Sequence, residues 1–209
     1  VGPNGAGKTT IIKILAGLIL ADSGRVKVLN LDVIKDELKL KASVSLLTGE
    51  ERSFYWRLTG RENLEFFGYL YNLSKNKIKK KIEELALILN IGEYLDRRFQ
   101  EYSTGIKQRF SIARALLNDP KIIFMDEPTK NLDPLVAEAT RNFIKNELKD
   151  NQNKTIFFAT HNLKEAFSLG ETIAIMDRGK IKAIDTPEGL KRNSGFEEPE
   201  EIFKYYVAK

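Results

Sequence analysis

No cysteine occurs anywhere in the chain. Disulfides and thiolate metal sites are therefore excluded, and a reducing compartment is permitted without being required. Histidine is almost as scarce, with His161 the single copy. No apolar run is long enough to cross a bilayer: the longest, Ile11 to Ala21, is broken by Lys13. No basic leader followed by a cleavable apolar segment is visible. Internal repeats and low-complexity segments are missing too. Charge of one sign is nowhere concentrated except at Lys75, Lys77, Lys79, Lys80 and Lys81. Those lysines interleave with Ile78, Ile82 and Leu85 at helical spacing, the pattern of a solvated helix face rather than a binding patch. The net charge of +5 over 209 residues therefore implies no nucleic-acid partner. What is present, 42% apolar and 30% charged residues, suits one globular domain with a real core.

The start of the chain is informative. Residues 2 to 9 read Gly-Pro-Asn-Gly-Ala-Gly-Lys-Thr, the phosphate-loop pattern. Gly2, Gly5 and Gly7 let the backbone approach a phosphate and adopt conformations that other residues resist. Together with Pro3, Asn4, Ala6 and Thr10, they form a candidate nucleotide-binding loop at the head of a helix, whose N-terminus favours anions. Lys8 supplies a point charge for the β- and γ-phosphates, and Thr9 a hydroxyl for Mg²⁺. A helix is expected over Thr10 to Ile19. In folds with this loop a buried strand leads into it. Val1 alone stands in that place, so the chain is expected to be a fragment, shortened at its N-terminus.

Farther on, Gly24–Leu29 and Ser43–Leu47 read as strands. Helical spacing then places Leu64, Phe67, Leu70 and Tyr71 on one face, followed by Ile78, Ile82, Leu85 and Leu89. A third helix is expected over Ser103 to Leu117, with Ile112, Ala115 and Leu116 inward. Lys121–Glu127 is nearly continuous in apolar residues until two carboxylates end it, as in a strand covered on both faces. Pro134 to Leu148 reads as helix and Thr155 to Ala159 as another buried strand. Thr172–Met176 and Lys180–Ile184 flank the turn Asp177-Arg178-Gly179. Strand and helix alternate at both ends of the chain, which implies an α/β sheet. The helical block, residues 53–112, reads as an insertion between core segments 1–52 and 113–209 of a single domain.

Asp126 and Glu127 end the apolar strand. Neighbouring strand residues point to opposite faces, so the two acids are expected to do different work. Asp126 suits a Mg²⁺ ligand, directly or through water, and Glu127 suits a base that orients or deprotonates the attacking water. Joined to the phosphate loop, the pair points to nucleotide hydrolysis.

Further segments carry a specific resemblance. Tyr102-Ser103-Thr104-Gly105-Ile106, followed by Lys107-Gln108-Arg109 and Ala113-Arg114-Ala115, resembles the signature of ATP-binding cassette (ABC) proteins. Asn131-Leu132-Asp133 is similar to their dimer-interface loop, His161 to their switch histidine, and Glu50 stands where they usually carry a lid-loop glutamine. Taken alone, Ser103 is an ordinary helix N-cap and His161 a capping or core histidine. The ensemble, in this order over essentially the whole chain, resembles the ATP-binding subunit of a transporter.

That resemblance implies a RecA-like phosphate-loop NTPase, with a mainly parallel sheet and an inserted α-helical subdomain. It implies ATP and Mg²⁺ as cofactors, with Thr9, Asp126 and Glu50 around the metal. Two copies are expected to sandwich two ATP molecules, each held by the phosphate loop of one copy and by Ser103, Thr104 and Gly105 of the other. Asp133 would cross between copies, and His161 would hold the γ-phosphate and the attacking water. Thr104 and Ile106 depart from the signature's usual glycine and polar residue, and Glu50 from the usual glutamine.

The segment Glu50 to Asn63 resembles exporters whose ATPase and membrane subunits are separate chains, among them multidrug, sodium and polysaccharide exporters. Phe54, Tyr55 and Trp56 are thus expected to dock a membrane permease, on the cytoplasmic face of the membrane. The rival reading is a soluble cassette ATPase of translation or DNA repair. Repair ATPases carry long coiled coils that about sixty residues of short helices cannot provide. Translation factors usually carry two cassettes. A non-catalytic dimerising regulator conflicts with the presence of Lys8, Asp126 and Glu127.

Overall fold

Alternation of short apolar runs with helix-period segments gives the chain order α1 (Lys8–Leu15), β1 (Lys27–Val28), β2 (Leu31–Asp32), α2 (Glu37–Ser43), β3 (Val44–Thr48), α3 (Gly60–Leu70), α4 (Lys75–Ile88), α5 (Thr104–Leu116), β4 (Ile122–Asp126), α6 (Pro134–Asn142), β5 (Thr155–Ala159), α7 (Leu163–Leu169), β6 (Ile173–Asp177), β7 (Lys180–Asp185), α8 (Pro187–Ser194) and α9 (Pro199–Ala208). The computed structural model describes residues 1–48, 54–151 and 154–208.

Strands β3, β4 and β5 form a parallel sheet with β4 in the middle. Side chains alternate across β4, and the alternation decides the layers. Phe124 enters a core with Ile12 of α1, Leu40 of α2, Val44 and Ala159. Ile123 and Met125 point the other way, into a larger core with Leu47, Ile112 and Leu116 of α5, and the helices between β3 and β4. At β3 and β4 the parallel sheet is covered on both faces, as their apolar composition requires.

Several expected boundaries shift, each for a local reason. Helix α1 ends at Leu15, not Ile19. Gly17 takes a left-handed φ of 70°, and the amides of Gly17 and Leu18 turn back to the carbonyls of Ile14 and Lys13. That pattern terminates a helix and leaves Leu18 and Leu20 exposed. The expected strand Gly24–Leu29 shrinks to β1, paired with β2 around Leu29 and Asn30, both at positive φ. On α3 the inward residues are Asn63 and Leu64, with Phe67 packed alongside, whereas Leu70 and Tyr71 are exposed. The close approach to α4 falls on the side of Gly68, where an added Cβ would lie 2.7 Å from Ile78. Helix α6 continues in wider turns through Phe143–Asn151 and buries Ile144 and Leu148.

On α4, Ile78, Ile82 and Leu85 face inward while Lys75, Lys77, Lys79 and Lys80 are solvated. Strand β5 is only half covered, contrary to expectation: Thr155 is exposed and Phe157 42% exposed. Beyond it lies a cleft of about 960 Å³ that also reaches Val1, Lys8 and β6. Val1 lies along β6, its amino group donating to the Ala174 carbonyl and its carbonyl accepting from the Met176 amide. Strands β6 and β7 pair antiparallel around Arg178 and Gly179, at φ 45° and 75°, as a tight hairpin demands. The Gly179 amide donates to the Ala6 carbonyl at 3.0 Å, which ties the hairpin to the phosphate loop.

Candidate functional site

The phosphate loop is held by two glycines for different reasons. Gly2 is pressed against β6: an added Cβ would lie 2.2 Å from the Met176 carbonyl oxygen. Gly7, the N-cap of α1, sits at φ 98°, a conformation that side chains resist. Between them Pro3, Asn4 and Gly5 are exposed and Ala6 is buried. The first residues of α1 carry Lys8, Thr9 and Thr10, and the helix N-terminus faces the loop.

Lys8 bends back over this loop. Its Nζ donates to the carbonyls of Gly2 at 2.8 Å and Pro3 at 2.9 Å, and stands 4.0 Å from Glu127 Oε1. The Thr9 hydroxyl donates to Asp126 Oδ2 at 2.8 Å. Asp126 Oδ1 is buried with no hydrogen-bond partner. An unmet carboxylate oxygen beside a hydroxyl is a hard, oxygen-rich donor set, the chemistry that suits a divalent cation bound mostly through substrate phosphates and water.

Register places the remaining groups. Asp126 pairs with Ala159 across β4 and β5, so the residues just beyond both strands emerge side by side. Glu127 follows at φ 53°, its amide donating to the Ala159 carbonyl at 2.8 Å. Its carboxylate accepts from the His161 amide at 3.1 Å and lies 2.8 Å and 2.9 Å from His161 Nδ1. Lys8, Glu127 and His161 thus converge from three segments distant in sequence. Glu127 is largely covered and His161 half exposed. Asp126, Glu127 and His161 sit at or just beyond the carboxyl ends of β4 and β5, where open α/β sheets place their ligands.

The signature residues are elsewhere. Ser103 caps α5, its hydroxyl accepting from the Ile106 amide at 3.4 Å. Thr104 is exposed, and an added Cβ on Gly105 would lie 3.3 Å from Val136 of α6. The head of α5 is anchored by Tyr102, whose hydroxyl donates to the carbonyls of Tyr94 and Arg97 and is pushed up to about 12, mainly by burial. Asp133 caps α6 by position but makes no side-chain capping bond, and it is exposed. Glu50 lies outside the described residues.

The aromatic triplet splits. Tyr55 and Trp56 are each 50% exposed, but Phe54, expected on the docking surface, is buried at 4% exposure. Its ring stacks on Phe99 at 4.3 Å, meets Phe67 edge-on, and carries the Arg114 guanidinium over its face. Burial against these rings withdraws Phe54 from any surface role. Phe54→Ala is expected to destabilise the fold by about 3–5 kcal/mol, read as a fall in Tm, rather than to weaken docking selectively.

Asn63 was silent in the sequence. It is fully buried, and its amide donates to the carbonyls of Tyr55 and Thr59 while its oxygen accepts from the Tyr55 amide. It fixes the turn that displays Tyr55 and Trp56. A polar residue on the inward face of a helix was the available signal. Trp56 in turn lies under the Lys107 ammonium at 4.8 Å, one helical turn into α5.

Comparison with known proteins places this arrangement. The family model described as ABC transporter matches residues 1–130. The chain is 36% identical over 203 residues to the ABC transporter ATP-binding protein NatA of Bacillus subtilis (strain 168), covering 97% of this chain and 82% of NatA. It is 36% identical over 199 residues to the daunorubicin resistance ATP-binding protein DrrA2 of Streptomyces coeruleorubidus, covering 93% of this chain and 60% of DrrA2. The ATP-binding cassette MJ0796, solved as a dimer in a post-hydrolysis state with ADP and Pi, superposes with a TM-score of 0.76 at 27% identity, covering 88% of this chain and 82% of that one. The parallel sheet and phosphate loop are thus those of a phosphate-loop NTPase, and the chain belongs to the ABC transporter family as an ATP-binding, ATP-hydrolysing subunit.

Proposed function

We propose that this subunit drives export through a separate membrane protein, working as an ATP-closed pair of identical copies on the cytoplasmic face of the membrane. The observation that carries its catalytic half is the convergence of Lys8, Glu127 and His161 beside the Thr9–Asp126 bond. Residues 2–10 cradle the phosphates through backbone amides and the helix N-terminus. Lys8 exchanges the Gly2 and Pro3 carbonyls for β- and γ-phosphate oxygens. Thr9 and Asp126, with Glu50 from the lid loop, would hold Mg²⁺, which screens phosphate charge when bound.

Glu127 accepts a proton from the water that attacks the γ-phosphorus. The bond to the bridging oxygen breaks, and ADP leaves with that electron pair. His161, held by its Nδ1 contact with Glu127, positions the water and the γ-phosphate. Ser103, Thr104 and Gly105 complete the site from the second copy, and Asp133 crosses between copies. The exposure of Ser103, Thr104 and Asp133 at the heads of their helices supports that reading. The dimeric state of MJ0796 with ADP and Pi supports the closed pair. Residues 53–112 act as the helical signature subdomain, with 1–52 and 113–209 as the nucleotide-binding core.

Export is supported by the role of DrrA2 in daunorubicin resistance. A separate permease is supported by NatA and DrrA2, both named as ATP-binding proteins. These relatives are transport and resistance proteins, which favours this reading over a translation or repair ATPase. Tyr55 and Trp56 form the docking surface, displayed by Asn63 and coupled to α5 through Lys107. Trp56→Ala is expected to lower co-purification with the membrane subunit about 10-fold or more, leaving ATP binding intact. Unchanged co-purification and transport would remove Trp56 from the interface.

The experiment for the whole reading is a pull-down of the full-length, tagged protein from detergent-solubilised membranes, with mass spectrometry of its companions. A polytopic membrane protein in comparable amount supports it. Recovery with ribosomes, with DNA or alone overturns the transport assignment and leaves the ATPase chemistry standing.

A further inference from the structure

Glu165 is a buried carboxylate that the hydrolytic chemistry above does not use. It lies in the first turn of α7, four residues after His161, and is 3% exposed. Its Oε1 accepts a hydrogen bond from the Thr129 hydroxyl at 2.6 Å, while its Oε2 is buried with no partner. Its own amide is held by the Asn162 side chain at 3.1 Å. Thr129 belongs to the turn that begins at Glu127 and ends at Asp133. The Lys130 amide donates to the Glu127 carbonyl at 3.1 Å within that turn. The Gln108 side chain of α5 donates to the Pro128 carbonyl at 2.9 Å.

The turn after β4 is therefore fastened to the segment after β5 at two places, Glu127 to His161 in the connecting turn and Thr129 to Glu165 at the head of α7. Between them, Pro128 is fastened to the signature helix. We infer that the Thr129–Glu165 hydrogen bond is a positioning contact for hydrolysis: it sets the separation of Glu127 and His161, and the path of the chain toward Asp133. The unmet oxygen is the argument against simple stabilisation. A buried carboxylate with one oxygen unsatisfied is costly, and an apolar side chain of similar size would pack without that penalty. A short charge-assisted bond to a hydroxyl is nevertheless directional, and it holds two turns at a definite spacing. Neither Thr129 nor Glu165 need touch the nucleotide for this, so both act through Glu127 and His161.

The inference rests on Glu127 and His161 being the hydrolytic pair, and the test separates the two ideas. On full-length protein, Thr129→Val removes the donor at nearly constant volume. It is expected to lower kcat for ATP on the order of 10-fold or more with KM within about two-fold, because small misplacements near reacting groups are costly. Thr129→Ser, which keeps the hydroxyl, is expected to restore kcat to within about two-fold of wild type. Glu165→Leu removes the unmet carboxylate, so Tm is expected to hold or rise while kcat falls as in Thr129→Val. The double variant should lose no more than either single one.

Glu127→Gln is run alongside. If it is inactive while Thr129→Val keeps wild-type kcat, the inference fails and the catalytic assignment survives. If Glu127→Gln keeps its turnover, the catalytic assignment itself is wrong. Losses of kcat that follow losses of Tm, losses that multiply in the double variant, or a failure of serine to rescue would each overturn the positioning role.

Discussion

Glu127→Gln is expected to bind ATP with near wild-type affinity, to lose about 10²–10⁴-fold in turnover, and to accumulate as an ATP-loaded dimer. The change is isosteric, so the left-handed turn at φ 53° and its amide bond to Ala159 remain. A carboxamide oxygen still accepts from the His161 amide, which lies 3.1 Å from Oε1. What disappears is the capacity to take a proton from water beside a phosphate, the one property for which glutamine has no substitute. Lys8, Thr9 and the loop backbone are untouched, so binding and closure persist while the step that reopens the pair is blocked. Single-turnover kinetics, with size-exclusion chromatography in ATP, reads both halves of the expectation. Undiminished turnover would remove Glu127 from the proton-transfer role.

Lys8→Ala acts one step earlier. The Lys8 side chain is 9% exposed and its ammonium already donates to two backbone carbonyls, so it is preorganised over the loop. Charge-assisted contacts to phosphate of about 1.5–3 kcal/mol each, with two phosphates engaged, correspond to roughly 10²–10⁴ in affinity. Calorimetric titration with ATP is expected to show a loss of that order. The same substitution leaves the Gly2 and Pro3 carbonyls without their donor, so a smaller fall in Tm should accompany it. An affinity within about three-fold of wild type would refute the assignment of this loop to the phosphates. The two variants together separate binding from hydrolysis: Lys8→Ala fails to load, and Glu127→Gln loads without release.

The chemistry of the site was legible in the chain because its residue types are tied to local backbone. A phosphate loop needs glycine where φ is positive and lysine at the helix head, and such needs are written in contiguous residues. Strand alternation alone would part Asp126 from Glu127, but β4 ends at Asp126, and the left-handed φ of 53° at Glu127 is what separates them. The elements between them were visible from period alone, with errors where tertiary packing overrode it. Leu70 and Tyr71 shared a helical face with Leu64, yet both are exposed, and the contact with α4 falls on Gly68. Phe54 looked like a surface anchor beside Tyr55 and Trp56, but its ring completes a stack with Phe99, forty-five positions later in the chain.

Period and motif, then, were enough to establish an α/β phosphate-loop ATPase and much of its order of elements, and to nominate residues for its site. They could do so because backbone conformation, helix capping and strand alternation act over a few residues. The pairing of Asp126 with Ala159, the meeting of Glu127 with His161, the Thr129–Glu165 bond and the clamp of Asn63 on Tyr55 belong to the packed molecule. All but the last of these join segments more than thirty positions apart. Their partners are selected by strand register and by the burial of groups that must then find a hydrogen bond, and neither constraint exists until the chain has closed on itself.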